Sequence, residues 1–165
     1  MATTRTTDVY GGWARKFPHR FVLTEGNVID FEFIERDLIA DSKQFNVREV
    51  VFDPFNATEL STRMLTEGLP MVEVGATVRN FSEPMKQLAA LIISSGIQHD
   101  GDPVLEWMLG NVFAKRDAKD NVYPRKSRNE NKIDAAVALI MALSRDMVIG
   151  VLQQSVYEGR GLRFV

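Results

Sequence analysis

The sequence predicts an α/β fold, and three observations carry that prediction. Two β-rich runs, residues 47–53 and 70–74, are each set between segments of helical periodicity. Those segments carry their own start and stop residues. Residues 131–143 form an Ala- and Leu-rich run that is apolar around nearly its whole circumference, the pattern of a buried helix. A sheet of only two convincing strands is a poor core. Either the weaker strand candidates near Phe21 join it, or part of the sheet is missing from this chain.

Taken in order, residues 1–9 are polar and Thr-rich and are expected to be disordered, with the folded domain spanning 10–165. Tyr10, Trp13 and Phe17 are aromatic anchors that pack a Gly-containing segment against the body. Residues 21–24 are a short strand candidate. Glu25-Gly26-Asn27 is turn chemistry, and Val28-Ile29 returns as a second strand. Asp30 is placed to cap a helix through about Gln44, with Phe31, Ile34, Leu38 and Phe45 near one face. The strand 47–53 ends at Asp53, where Pro54 stops it.

A second helix is marked by Asn56 and Glu59 as a capping box, by Gly68 at its end, and by Leu60, Met64 and Leu65 as its apolar residues. After the strand 70–74, Ser82 is expected to cap a third helix. Pro84 is then tolerated in its first turn, Met85, Leu88 and Ile92 form its stripe, and Gly96 closes it. Asp102-Pro103 opens a fourth helical stretch with Leu105, Trp107, Met108 and Val112. Residues 115–130 are polar and include Lys115, Arg116, Lys119, Arg125, Lys126 and Arg128. The apolar helix follows, and the tail beyond Val148 is broken by Gly159 and Gly161. Trp13 and Trp107 are expected in the core.

Composition narrows the function classes. The net charge of −2 predicts no nucleic-acid partner by balance alone, so a DNA binder would need locally clustered Lys and Arg. The absence of cysteine removes disulfides, thiolate chemistry and Cys-zinc sites. No apolar run is long enough to span a bilayer, and the start of the chain lacks the apolar core of a signal peptide. There is no P-loop, no Gly-x-Ser-x-Gly elbow and no His-Glu-x-x-His.

What chemistry remains centres on two acids. Asp53, at the end of a strand and before a proline, either caps the next turn or presents a metal carboxylate at the C-terminal edge of a sheet. Asp134, at the start of the apolar helix, either complements the helix dipole or is a carboxylate with no solvated face, held by a cation. Converging carboxylates bind Mg²⁺ or Mn²⁺ through oxygen. His99, in the turn 99–103, is either a hydrogen-bonded structural residue or an accessory base or ligand. The cations around Arg125, Lys126, Arg128 and Lys132 are either a solvated loop or, beside a carboxylate site, contacts for phosphates.

Four blocks carry a resemblance. Trp13, then Gly26-Asn27-Val28-Ile29-Asp30, then Val51-Phe52-Asp53-Pro54 occur in the order seen in the nuclease domain of tailed-phage terminase large subunits. His99 to Met108 with Asn111 resembles that family's His-Gly-Gly-Asn-Pro-x-Leu-x-Trp-Met-x-x-Asn block. Lys132-Ile133-Asp134-Ala135-Ala136-Val137-Ala138 resembles its Lys-Ile-Asp-Gly-x-x-Ala block. Residues 156–161 resemble its C-terminus.

The resemblance implies an RNase H-like nuclease fold and a metal-dependent endonuclease that cuts concatemeric phage DNA during genome packaging. It implies two divalent ions, Mg²⁺ or Mn²⁺, held by acids that Asp53 and Asp134 match, with Lys126, Arg128 and Lys132 as DNA contacts. Double-stranded DNA, the small terminase subunit and the portal protein are the implied partners, and the host cytoplasm, in a phage or prophage setting, the implied location. The family's packaging ATPase is not matched in this chain. Nor is its first acid, which lies on the first strand of the sheet; Asp8 sits in a polar stretch. The expectation is therefore a nuclease domain lacking its first strands and nearly inactive alone. The alternative is a non-catalytic remnant that docks on the portal or small subunit.

Overall fold

The computed structural model describes residues 3–26 and 28–153, and the side chains of 10–26 and 28–150. The expectations for the tail beyond Gln153, Gly159 and Gly161 included, lie outside the described residues.

Two short strands, β1 (Val50–Phe52) and β2 (Met71–Glu73), pair in parallel with Val50 opposite Met71 and Phe52 opposite Glu73. A parallel pair needs a crossover, and helix α3 (Thr58–Thr66) supplies it. Against this sheet lies α6 (Asp134–Gln153), and α4 (Val78–Ile93) packs on α6. Phe81 and Leu88 of α4 meet Ile140 and Met141 of α6 in the core, with Val51 and Val74 closing it from the sheet side. Met64 of α3 is fully buried, as its place in the apolar stripe requires, whereas Leu65 is exposed.

Several local readings hold. Asp30 caps α2 (Phe31–Gln44) by accepting the Phe33 N–H at 3.0 Å. Asp102 caps α5 (Pro103–Gly110), with Oδ1 accepting from Val104 and Leu105 at 2.7 and 3.0 Å. Gly68 takes φ +87° after α3, which only glycine adopts freely, and lets the Leu69 N–H return to the Met64 carbonyl.

Other readings are corrected. Residues 3–16, whose first part was expected to be disordered, form α1 (Thr3–Lys16). Residues 21–24 and 28–29 are not strands, so they add nothing to the sheet. Asn56 does not cap α3: it sits at φ +58° in the turn before it, and Ala57 holds the cap position with no side-chain bond. Ser82 is not a cap either. Thr77, five residues earlier, accepts the Asn80 N–H and starts α4, which places Ser82 and Pro84 inside the helix.

The largest difference concerns residues 112–126. The polar stretch contains an antiparallel hairpin, β3 (Val112–Arg116) with β4 (Val122–Lys126). Its turn is organised by Asp117, which accepts from the N–H groups of Lys119 and Asn121 and from the Asn121 amide. The hairpin is anchored on α4, where the buried Ser82 hydroxyl accepts the Val122 N–H at 3.1 Å.

Two further ties fix the ends of the core. Arg145 of α6 grips Glu49, just before β1, through Nε and Nη2 at 2.7 and 2.9 Å. Elsewhere Tyr10, Trp13, Phe21 and Trp107 form a half-buried aromatic cluster that docks α1 on α5. Trp13 and Trp107 meet edge to face there, with ring centroids 5.0 Å apart.

Candidate active-site cleft

Strand β1 delivers Asp53 to the C-terminal edge of the sheet, and both of its oxygens are engaged. Oδ1 accepts the Phe55 N–H at 2.9 Å and Oδ2 accepts the Ala76 N–H at 2.8 Å. The carboxylate thus bolts the loop after β1 to the loop after β2. Each oxygen keeps a second lone pair, so the turn-capping role and a ligand role are compatible.

Ala76 continues the connection. Its carbonyl accepts the Tyr123 hydroxyl at 2.9 Å, and the Tyr123 ring stacks on the buried Phe81 at 5.7 Å between centroids. The same backbone lines a cleft of about 280 Å³ whose wall includes Tyr123, Arg125, Lys126, Lys132 and Asp134.

Asp134 is the first residue of α6. The sequence expectation that it lacks a solvated face is corrected: it is exposed, as are Ala138 and Ala142, because α6 buries only one side. Its backbone is held from α5. The Asn111 amide donates to the Lys132 carbonyl at 3.0 Å, and the Ala135 N–H approaches Met108 Sδ at 3.3 Å. Tyr10 lies within electrostatic reach. Burial, and then the Asp134 charge, push its phenol above the ordinary tyrosine range, and its buried hydroxyl has no hydrogen-bond partner among the described residues.

The cations divide. Lys126 and Lys132 line the cleft, Lys126 steadied by its bond to the Asn129 carbonyl at 3.1 Å. Arg128 is exposed and is not part of the cleft wall. His99 is exposed in the loop before α5, where Nδ1 accepts the Gly101 N–H at 3.1 Å. That bond spends one ring nitrogen on the turn and puts the proton of the neutral ring on Nε2. Arg20 pins the same loop by pairing with Asp100 and, at 3.5 Å, with Asp102. The Asp102 carboxyl sits below the usual range: burial pushes it up, but the Leu105 and Val104 N–H groups and Arg20 outweigh that.

The donor set suits a hard cation in kind. Among the described residues no three His, Cys, Asp or Glu side chains are grouped to hold a metal. Mg²⁺ commonly makes do with one or two carboxylates, completing its shell with water and substrate phosphates. Asp53 and Asp134 are donors of the kind such a site uses. Sequence reasoning missed Ala76 and Tyr123, which join Asp53 to the cleft. The usable signal was Thr77 as a helix cap, which would have placed Gly75-Ala76 in a sheet-edge loop.

Comparison with known proteins bears on this cleft. Residues 19–148 match the family described as "Terminase large subunit, endonuclease domain". Protein YmfN of Escherichia coli (strain K12) is 42% identical over 128 residues, covering 76% of this chain and 28% of that protein. The HK97 bacteriophage large terminase superposes with a TM-score of 0.73 at 25% identity, over 82% of this chain and 28% of that one. The large terminase nuclease from thermophilic phage G20c superposes at 0.59 and 18% identity, over 73% of this chain and 64% of that one, a likeness of fold. The chain thus spans somewhat over a quarter of the length of the first two. Its fold is that of the RNase H-like terminase nucleases.

Proposed function

The chain belongs to the terminase large subunit endonuclease domain family, and from that premise we propose that it hydrolyses phosphodiester bonds of double-stranded DNA with Mg²⁺ or Mn²⁺, as the cutting step of phage genome packaging. One observation carries the reading: Asp53 is bonded to Ala76, and Ala76 lines the cleft that Asp134 faces. Asp53 thus bonds a residue that stands on the same cleft wall as Asp134.

In this reading Asp53 and Asp134 hold the divalent ion. When bound, the ion supplies Lewis-acid stabilisation of the phosphoryl oxygens. Lys132 and Lys126 neutralise phosphates flanking the scissile one, in a cleft where they already stand. Tyr123 fixes the cleft wall through Ala76 and does not touch substrate. Arg128 is a contact at the rim. His99, with Nδ1 committed to its own turn, orders the loop before α5. The small terminase subunit and the portal are the proposed partners in packaging.

A second reading, a docking module without catalysis, is favoured by the lack of a three-acid cluster among the described residues. Nicking of supercoiled plasmid separates the two. The nuclease reading expects slow nicking that Mn²⁺ supports better than Mg²⁺, because Mg²⁺ is the more demanding of octahedral geometry. The activity should disappear in Asp134→Asn. No nicking at any metal concentration, by protein that still binds the duplex, would leave the docking reading standing.

A further inference from the structure

We propose that one face of the β3–β4 hairpin, carrying Phe113, Lys115 and Arg125, is a contact surface for the sugar-phosphate backbone of duplex DNA, leading it into the Asp134 cleft. The proposal rests on the nuclease reading and adds residues on which that reading does not depend.

The register builds the surface. Val122 and Pro124 of β4 are buried, so the alternating positions Tyr123 and Arg125 belong to the other face. Their cross-strand partners on β3 are Lys115 and Phe113. Lys115 and Arg125 are therefore diagonal neighbours on one face, at a spacing of about 7–8 Å.

The cations are available. Among the described residues neither Lys115 nor Arg125 has a carboxylate partner, whereas Arg116 pairs with Asp120 at 3.5 Å. The Arg125 guanidinium lies 5.1 Å from the centre of the Tyr123 ring, and that ring is fixed by Phe81 and by Ala76. A pre-positioned guanidinium loses less freedom on meeting a phosphate. Phe113, directly across the ladder from Arg125, is 61% exposed, an apolar group at a polar face.

Position completes the case. A second cleft of about 360 Å³ is lined by Lys115, Arg116, Tyr123 and Arg125, and it shares Ala76, Tyr123 and Arg125 with the Asp134 cleft. Among the described residues the one acid on its wall, Asp117, is spent on the hairpin turn. The two clefts adjoin through those shared residues, and cations outnumber acids on both walls: Lys115, Arg116 and Arg125 against Asp117 in one, Arg125, Lys126 and Lys132 against Asp134 in the other. The overall charge of −2 makes that local excess of cations the more pointed.

The test is fluorescence anisotropy of a labelled DNA duplex titrated with the full chain in metal-free buffer over a series of salt concentrations. Lys115→Gln and Arg125→Gln should each weaken binding and make the slope of log K against log salt shallower by about 1. Phe113→Ser should weaken binding without changing the slope, since an apolar contact releases no counterion. Lys43→Gln on α2 is the control, and circular dichroism melts confirm that each variant is folded. Unchanged slopes in Lys115→Gln and Arg125→Gln, with normal binding by the parent chain, would overturn the hairpin surface and leave the nuclease reading intact. An equal loss in Lys43→Gln would do the same, by showing general electrostatics. No duplex binding by the parent chain, even at low salt, would overturn both.

Discussion

At the scale of residues, the two candidate acids, Asp53 and Asp134, are unlike each other. Asp53 holds two backbone N–H groups from separate loops, while Asp134 is exposed at a helix start with no hydrogen bond from the described residues. Their removal should therefore be felt differently. Asp53→Ala strips a charged acceptor from two amides and should cost about 1–3 kcal/mol. Asp134→Asn should leave metal-free stability within about 0.5 kcal/mol. Thermal melts in the presence of a chelator check this, and a large drop in Asp134→Asn would make it a structural cap instead. Asp102 supplies a pH signature. Its carboxyl is held below its ordinary pKa in the folded chain, so its contribution is complete above the unfolded value of about 4 and is lost as pH falls below it. Glu49 adds a contribution of the same sign: the Arg145 hydrogen bond, more than its charge, holds it low against burial. Stability measured between neutral pH and pH 3 should fall less steeply in Asp102→Ala, whose melting temperature at pH 7 is already reduced. An identical pH profile would show that Asp102 is not the linked group.

At the scale of elements, what the sequence disclosed was what is local. Asp30 and Asp102 could be read because a cap acts on amides two or three residues ahead, and Gly68 because a left-handed turn is a property of one residue. Asp53 and Asp134 were legible as residue types at element ends, but the cleft that Asp134 lines was not. It is walled by the Ala76 backbone and by Tyr123, and Tyr123 belongs to a hairpin that the sequence hides. β3 is exposed at four of its five positions, so no alternation of apolar and polar residues announces it, and Pro124 in β4 argues against a strand by rule. Ser82 misled for a related reason. A hydroxyl before a proline looks like a helix cap, yet here it is a mid-helix acceptor for a strand amide 40 residues away. Ser82→Ala should leave the buried Val122 N–H unpaired and cost about 1–3 kcal/mol. The loss should appear first as faster hydrogen exchange at the hairpin amides. Uniform acceleration across α6 and the hairpin alike would mean that Ser82 stabilises the core rather than the hairpin's attachment.

At the scale of the whole molecule, the core is small for the chain that surrounds it. α2 contributes no buried residue, and the sheet has two strands among the described residues, so each has an edge without a strand partner there. Val28, Phe55 and Ile93 are each more than four-fifths exposed. Large apolar side chains left in water together with open strand edges favour association. The thinness of the sheet was visible in the sequence, which offered only two convincing strands; the exposure of Phe55 and Ile93 was not, since it depends on what packs beside them. Sedimentation velocity over a hundredfold range of concentration should show reversible self-association, weakened in a Phe55→Ser, Ile93→Lys double variant. A parent chain that stays monomeric throughout would refute this.

The aromatic cluster under α1 has an optical consequence. The chain has two tryptophans, Trp13 and Trp107, and they face each other at 5.0 Å and 70°. Indoles that close and that inclined couple their strong electronic transitions, so the far-ultraviolet circular dichroism of this protein should carry an exciton couplet on top of the helix signal. Its intrinsic fluorescence should likewise come from one environment. With no other indole to dilute it, that signal reports one mechanical event, the seating of α1 on α5. Because α5 also holds the start of α6 through Met108 and Asn111, the spectrum is a native readout of whether the segment bearing Asp134 is in place.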